Sequence, residues 1–285
     1  MSFENLAKQS PMGPAAEAYA AEIVARSRAV AAAGNLVTDV PYGADEWQRL
    51  DIYLPAQAKA NGVPVLLFLH GGSWTHGHKE WMGFMAPCFT DLPAIFVSVG
   101  YRLVPQVRFP APLDDTIDAL AWVHAHIARH GGDPGRIFVG GHSAGGHLAA
   151  LASLHRDKLA AARLPPDAVK GCFPVSATYS FAPGELEARG NHLLQVPEQA
   201  AEASPINFVA GSRVPFLIAW GDADFEQVLR TGPEMVAALE RSGARTEQLV
   251  LPGHDHFAAS LAGGEAGSPW VEHVRSWMLH HGGTR

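Results

Sequence analysis

The sequence predicts an α/β fold, a mostly parallel central sheet with helices on both faces and a small cap segment. Continuous apolar runs such as Val63–Leu69 and Ala94–Val99 suit strands buried on both faces. These runs alternate with helical stretches along most of the chain, which is the pattern of strand–helix–strand crossovers in a parallel sheet. No linker or internal repeat divides the 285 residues, so a single domain over 1–285 is expected.

The elements follow in order. Residues 14–33 are alanine-rich, start after a proline and stop before Gly34, as an amphipathic helix would. Leu36–Tyr42 and Gln48–Leu54, joined by Gly43-Ala44-Asp45, read as an antiparallel hairpin at a sheet edge. After the two buried strands, Leu113–Arg129 has helical spacing in Leu113, Ile117, Leu120, Val123 and Ile127. Arg136–Val139, Val169–Val175, Val214–Trp220 and Thr246–Leu251 are the remaining strands. Helices are expected at Leu148–Leu154, around Met235–Leu239 and over Trp270–Leu279. The segment at about 177–204 lacks strand character between two good strands and is expected to be a cap or lid, the alternative being a long surface connection.

Composition narrows the function classes. An apolar content of 47% suits a globular core. The net charge of −7 spreads without a basic block, which argues against nucleic acid or an anionic membrane as partner. No apolar run approaches membrane-spanning length. Met1 to Ser10 has neither a basic nor an apolar signal region, so a cytoplasmic protein is expected. Cys88 and Cys172 lie in apolar stretches and read as buried free thiols. The terminal helices could pack on the sheet or on a second subunit, which leaves a homodimer open.

The chemistry centres on Gly141-His142-Ser143-Ala144-Gly145, which follows an apolar strand and opens an alanine-rich helix. In that context a G-x-S-x-G pentapeptide is a nucleophile elbow, with Ser143 exposed on a strained turn. A serine hydroxyl needs a base. His256, in the glycine-punctuated stretch after the last strand, is the candidate, and His254 is its rival. The base needs a carboxylate, for which Asp222 and Asp224 compete at the end of the preceding strand. Gly71, Gly72 and Ala144 are positioned to supply backbone N–H donors to a developing oxyanion. His70 reads as structural, and Trp74 as lining the site or packing beneath it.

Cofactor and metal readings fail on spacing. The Gly140-Gly141 and Gly145-Gly146 pairs do not form G-x-G-x-x-G. His76/His78 and His124/His126 are two residues apart and would not share a helix face, while His126/His130 lacks an accompanying acidic motif. Neither cofactor nor metal is expected.

These motifs carry a resemblance. His70-Gly71-Gly72-Ser73-Trp74, Tyr101-Arg102-Leu103-Val104-Pro105, Gly141 through Leu148, Ala203-Ser204-Pro205, Gly221-x-x-Asp224-Phe225-Glu226 and Asp255-His256-Phe257 resemble the α/β-hydrolases of the hormone-sensitive-lipase-like esterase group. Within that group the chain looks most like kynurenine formamidases (arylformamidases), over roughly 63–280. The resemblance implies the α/β-hydrolase fold, with Ser143 as nucleophile, Asp224 as acid and His256 as base. Ser73 stands where formamidases commonly carry tyrosine and lipase-type relatives a third glycine, which sets the chain between the two groups.

The expected function is therefore a serine hydrolase that cleaves a small aryl formamide or carboxylic ester through an acyl-enzyme. Ser73, Trp74, Phe181 and Phe225 are candidate substrate-binding residues. A general short-chain carboxylesterase is the alternative, and a non-catalytic ligand-binding module is the alternative of another class.

Overall fold

A computed structural model describes residues 3, 6–56, 62–188, 190, 191 and 193–280. Parts of two sequence readings, the N-terminal residues 1, 2, 4 and 5 and the cap residues 189 and 192, lie outside the described residues. The strands are β1 (Leu36–Pro41), β2 (Arg49–Tyr53), β3 (Val63–Leu69), β4 (Ile95–Val99), β5 (Gly132–His142), β6 (Val169–Val175), β7 (Phe216–Gly221) and β8 (Thr246–Leu251). They form one sheet in the order β1-β2-β4-β3-β5-β6-β7-β8. The strands from β3 onward pair in parallel, while β1 and β2 form the expected antiparallel edge hairpin, with Leu36 opposite Tyr53.

The helices are α1 (Pro14–Ala33), α2 (Pro87–Thr90), α3 (Ala111–His126), α4 (Ala144–Leu154), α5 (Arg156–Ala161), α6 (Glu185–Ala188), α7 (Glu226–Ser242), α8 (His256–Leu261) and α9 (Pro269–His280). Side-chain alternation in β3 shows how they are layered. Val65, Leu67 and Leu69 enter a core shared with Leu113 of α3, Leu148 of α4 and Met235 of α7. Leu66 and Phe68 enter the opposite core, with Ile23 of α1 and Trp270 and Val274 of α9. Both faces are thus covered, as the continuous apolar strands require. In α1 the buried residues Tyr19, Ile23 and Ser27 recur every fourth position, which turns one stripe inward.

The largest departures from the sequence reading are these. β5 runs from Gly132 to His142, well beyond Arg136–Val139, because its glycines keep pairing by backbone alone: Gly140 lies opposite Phe173 and Gly141 opposite Pro174. The helix expected to reach Arg129 leaves α-helical geometry after His126 and finishes as a 3-10 turn, Ile127–His130, closed by Gly131 in the left-handed region. The stretch after β3 also folds into a fully buried 3-10 segment, Lys79–Met85, followed by α2.

One glycine explains how the elbow fits against the sheet. A Cβ on Gly145 would lie 2.3 Å from the Leu69 carbonyl oxygen and 2.4 Å from that of His70, both fixed backbone atoms. Gly145→Ala is therefore expected to push α4 off β3 and cost about 3 kcal/mol or more, measured as a lower Tm in thermal denaturation.

Cys88 and Cys172 are buried and free, as expected from the sequence. Among the described residues, no helix is long and apolar enough to cross a membrane, and no cluster of potential metal-ligating side chains occurs.

Candidate active site

Parallel strands deliver their following loops to one edge of the sheet, and the candidate residues converge there. Ser143 follows β5 with φ 53 and ψ −120, a conformation costly for a residue with a side chain, and α4 begins at the next residue. Its N–H is bonded to the Val175 carbonyl at 2.9 Å. The Ser143 amide is thus occupied, whereas Ala144 heads α4, where the first N–H groups have no intrahelical acceptor.

Three side chains line up. The Ser143 hydroxyl oxygen is 2.9 Å from His256 Nε2. His256 Nδ1 is 2.7 Å from Asp224 Oδ1. The order of partners requires the tautomer in which Nδ1–H donates to the carboxylate and Nε2 accepts from serine. Asp224 and His256 are buried, while Ser143 is half-buried and faces a cavity of about 490 Å³. Asp255 caps α8, accepting from the N–H groups of Phe257 and Ala258 at 3.0 and 2.8 Å. His256 therefore sits at the first position of a helix, where the sequence suggested a loop.

The rivals are turned elsewhere. Asp222 accepts from the Gly253 N–H at 2.7 Å and ties the two loops together. His254 bonds through Nδ1 to the Pro252 carbonyl.

The loop after β3 is fixed from several sides. His70 donates from Nδ1 to the Gly71 carbonyl at 2.7 Å, and its ring stacks on Tyr101 at 4.3 Å. Burial pushes the His70 imidazole down to about 3, so it is a neutral brace. Gly72 at φ 113 takes a conformation open to glycine and is followed by Ser73 and Trp74, also at positive φ (53 and 62), so two consecutive residues with side chains hold strained backbone beside Ser143. Gly72, Ser73 and Ala144 line the cavity; Gly71 lies just behind, where an added Cβ would be 3.2 Å from Ser143 Cβ.

Of the candidate substrate-binding residues, Ser73, Trp74 and Phe225 line the cavity. Phe225 is 55% exposed and stacks on the His256 ring at 4.2 Å. Phe181 sits one layer back, packed on Trp74 at 5.8 Å and on His147 at 5.3 Å, and does not reach the cavity wall. Trp74 Nε1 donates to His147 Nδ1 at 3.2 Å, while His147 Nε2 donates to the Ala203 carbonyl. Asn191 donates to the Ser73 carbonyl at 3.1 Å.

Sequence reasoning missed several wall residues. Met12, Ala16 and Tyr19, from α1 and the residues before it, line the cavity, as does Trp81. No local motif marks them, because a distant segment folds back over the site. Ser176, just past β6, also lines the cavity. Its place at the carboxyl end of a parallel strand was the available signal.

Comparison with known proteins extends the geometry. A family model described as BD-FAE matches residues 50–171. The chain is 30% identical over 226 residues to the kynurenine formamidase of Danio rerio, covering 77% of this chain and 74% of that one. The chain belongs to the α/β-hydrolases, in the same family as that kynurenine formamidase. This α/β-hydrolase is also 34% identical over 254 residues to esterase LipC of Mycobacterium tuberculosis, covering 80% of its own length and 61% of LipC. Its match to esterase LipQ of the same organism, 31% over 250 residues, covers 58% of that protein. The chain thus spans about six-tenths of the length of these two relatives. Among solved structures, it superposes on the thermostable carboxylesterase EstE1, cloned from a metagenomic library, with a TM-score of 0.70 at 25% identity over 92% of this chain and 97% of the other. The hyperthermophilic esterase from Pyrobaculum calidifontis shares the fold, with a TM-score of 0.75 at 22% identity over 92% of this chain and 91% of that one.

Proposed function

We propose that the chain is a serine hydrolase that cleaves small carboxylic esters through an acyl-enzyme, with Ser143 as nucleophile, His256 as general base and acid, and Asp224 as the carboxylate that orients it. The observation that carries this reading is the continuous line Ser143–His256–Asp224, with contacts of 2.9 and 2.7 Å at the rim of a cavity.

Each step has its group. Ser143 Oγ gives its proton to His256 Nε2 as it bonds to the ester carbonyl carbon, and the carbonyl π pair moves onto oxygen. The N–H groups of Ala144 and Gly72, with Gly71 behind, meet that charge; losing one such donor typically costs about 10²–10³ in turnover. The imidazolium, stabilised by Asp224, passes the proton to the leaving oxygen as the C–O bond breaks. Water then repeats the sequence on the acyl-Ser143, releasing the acid and restoring the hydroxyl.

Tyr19, Trp74, Trp81, Phe225 and Phe257 on the wall suit an aromatic or short apolar substrate. Leu186, Gly190 and Asn191 also line the cavity, which supports the 177–204 segment as a cap on one hydrolase domain.

A second reading, an aryl formamidase, is favoured by the likeness to the Danio rerio kynurenine formamidase. There the leaving group is an aryl amine, and the same proton transfers apply. Hydrolysis of N-formylkynurenine beside a short-chain p-nitrophenyl ester separates the readings by relative kcat/KM. Ester turnover with the formamide untouched is the expected result. A Ser143-dependent preference for the formamide assigns the second reading. Inertness toward both favours the non-catalytic binding module.

A further inference from the structure

Asp224 holds three hydrogen bonds, divided unevenly. His256 Nδ1–H and the Phe225 N–H both donate to Oδ1, each at 2.7 Å. Oδ2 receives the hydroxyl of Ser176 at 2.5 Å. That serine is buried, lines the cavity and stands just past the end of β6.

Its φ and its amide hydrogen bond match those of Ser143 one strand over. Ser176 has φ 53, as Ser143 does. The Ser176 N–H is tied to the Ala219 carbonyl at 2.8 Å, just as the Ser143 N–H is tied to Val175 at 2.9 Å. Glycine or asparagine would take this conformation at less cost, so the strain holds a hydroxyl at one particular point.

We propose that Ser176 is a positioning residue for Asp224, an assignment that rests on reading Ser143, His256 and Asp224 as the catalytic triad. With Oδ2 anchored, the carboxylate cannot rotate about its Cβ–Cγ bond, and Oδ1 stays directed at His256. The hydroxyl also gives a donor to the oxygen that His256 does not use. Burial pulls the Asp224 carboxyl upward, but the hydrogen bonds from His256, Ser176 and Phe225 prevail and hold it below the ordinary carboxylate range. The other titratable groups facing it are Tyr179 and His142. Burial raises the Tyr179 phenol well above its ordinary value and pushes the His142 imidazole down to about 3, so both stay neutral.

The test is steady-state kinetics of Ser176→Ala and Ser176→Gly on a p-nitrophenyl ester across pH, with Ser143→Ala in parallel. Alanine removes the hydroxyl and keeps the strained backbone. Glycine removes both, relieves the backbone and is the deciding variant if alanine folds poorly. In each, kcat is expected to fall about 10–100-fold with KM little changed. The acid limb of kcat/KM should move to higher pH, because a carboxylate freed from the Ser176 donor holds the proton of the Asp224–His256 pair more tightly. Wild-type kcat in Ser176→Gly overturns the assignment, as does a loss of kcat with the acid limb unmoved. An active Ser143→Ala would overturn the triad, and this assignment with it. An inactive Ser143→Ala beside a fully active Ser176→Gly would overturn this assignment alone.

Discussion

Ser143→Ala is expected to lower kcat on a p-nitrophenyl ester by about 10⁴–10⁶-fold. In the proposed mechanism the serine supplies the atom that bonds to the carbonyl, and no neighbouring group can take its place at the 2.9 Å contact with His256 Nε2. Residual catalysis above water is expected, since the Ala144 and Gly72 amides and the aromatic wall remain. Alanine must adopt the same φ of 53, so the strain at the elbow is unchanged and Tm should stay near that of the wild type. Kinetics and thermal denaturation on one preparation check both parts. A large loss with an unaltered Tm places the effect in the chemistry rather than in the fold.

Removing the proposed acid should cost about 10⁴-fold in kcat, read for Asp224→Ala in the same assay. The imidazole then loses the partner of its Nδ1–H, and the buried Ser176 hydroxyl and Phe225 N–H lose their acceptor. Asp224→Asn should retain more activity. Both contacts at Oδ1 are donors, so the amide would place its oxygen there and turn its NH2 toward Ser176. The histidine keeps its tautomer and loses only the negative charge that stabilises the imidazolium. Asp222→Asn and His254→Ala should leave turnover close to wild type, since their hydrogen bonds go to Gly253 and Pro252. A collapse of activity in either would return the acid or base role to these rivals.

The sheet was legible because its signal is local. Apolar runs such as Val63–Leu69 and Val169–Val175 fall on the strands to the residue. The ends of β5 were less legible, because pairing in parallel with β3 and β6 extends a glycine-rich strand that no apolar pattern marks. Ser143, Asp224 and His256 were singled out because each follows a strand in a recognisable motif, and the structure brings the three together. The wall of the cavity was not legible. Tyr19 reaches it from α1, more than a hundred residues from Ser143 in sequence, and packs on His142 and Phe257 at 5.8 and 5.0 Å. Phe181 looked like a wall residue because it falls in the predicted cap, yet it packs behind Trp74. Ser176 carries no motif of its own; its place just past β6 was the one available signal, and the short distance to Asp224 shows what it contacts.

The central claim, that Ser143 is the nucleophile, is tested most directly by covalent labelling with an alkyl fluorophosphonate followed by peptide mapping. The proposed mechanism predicts a single phosphonyl adduct on the peptide carrying Ser143, lost in Ser143→Ala and formed far more slowly in His256→Ala. An adduct on a different side chain, or undiminished labelling of Ser143→Ala, would contradict it.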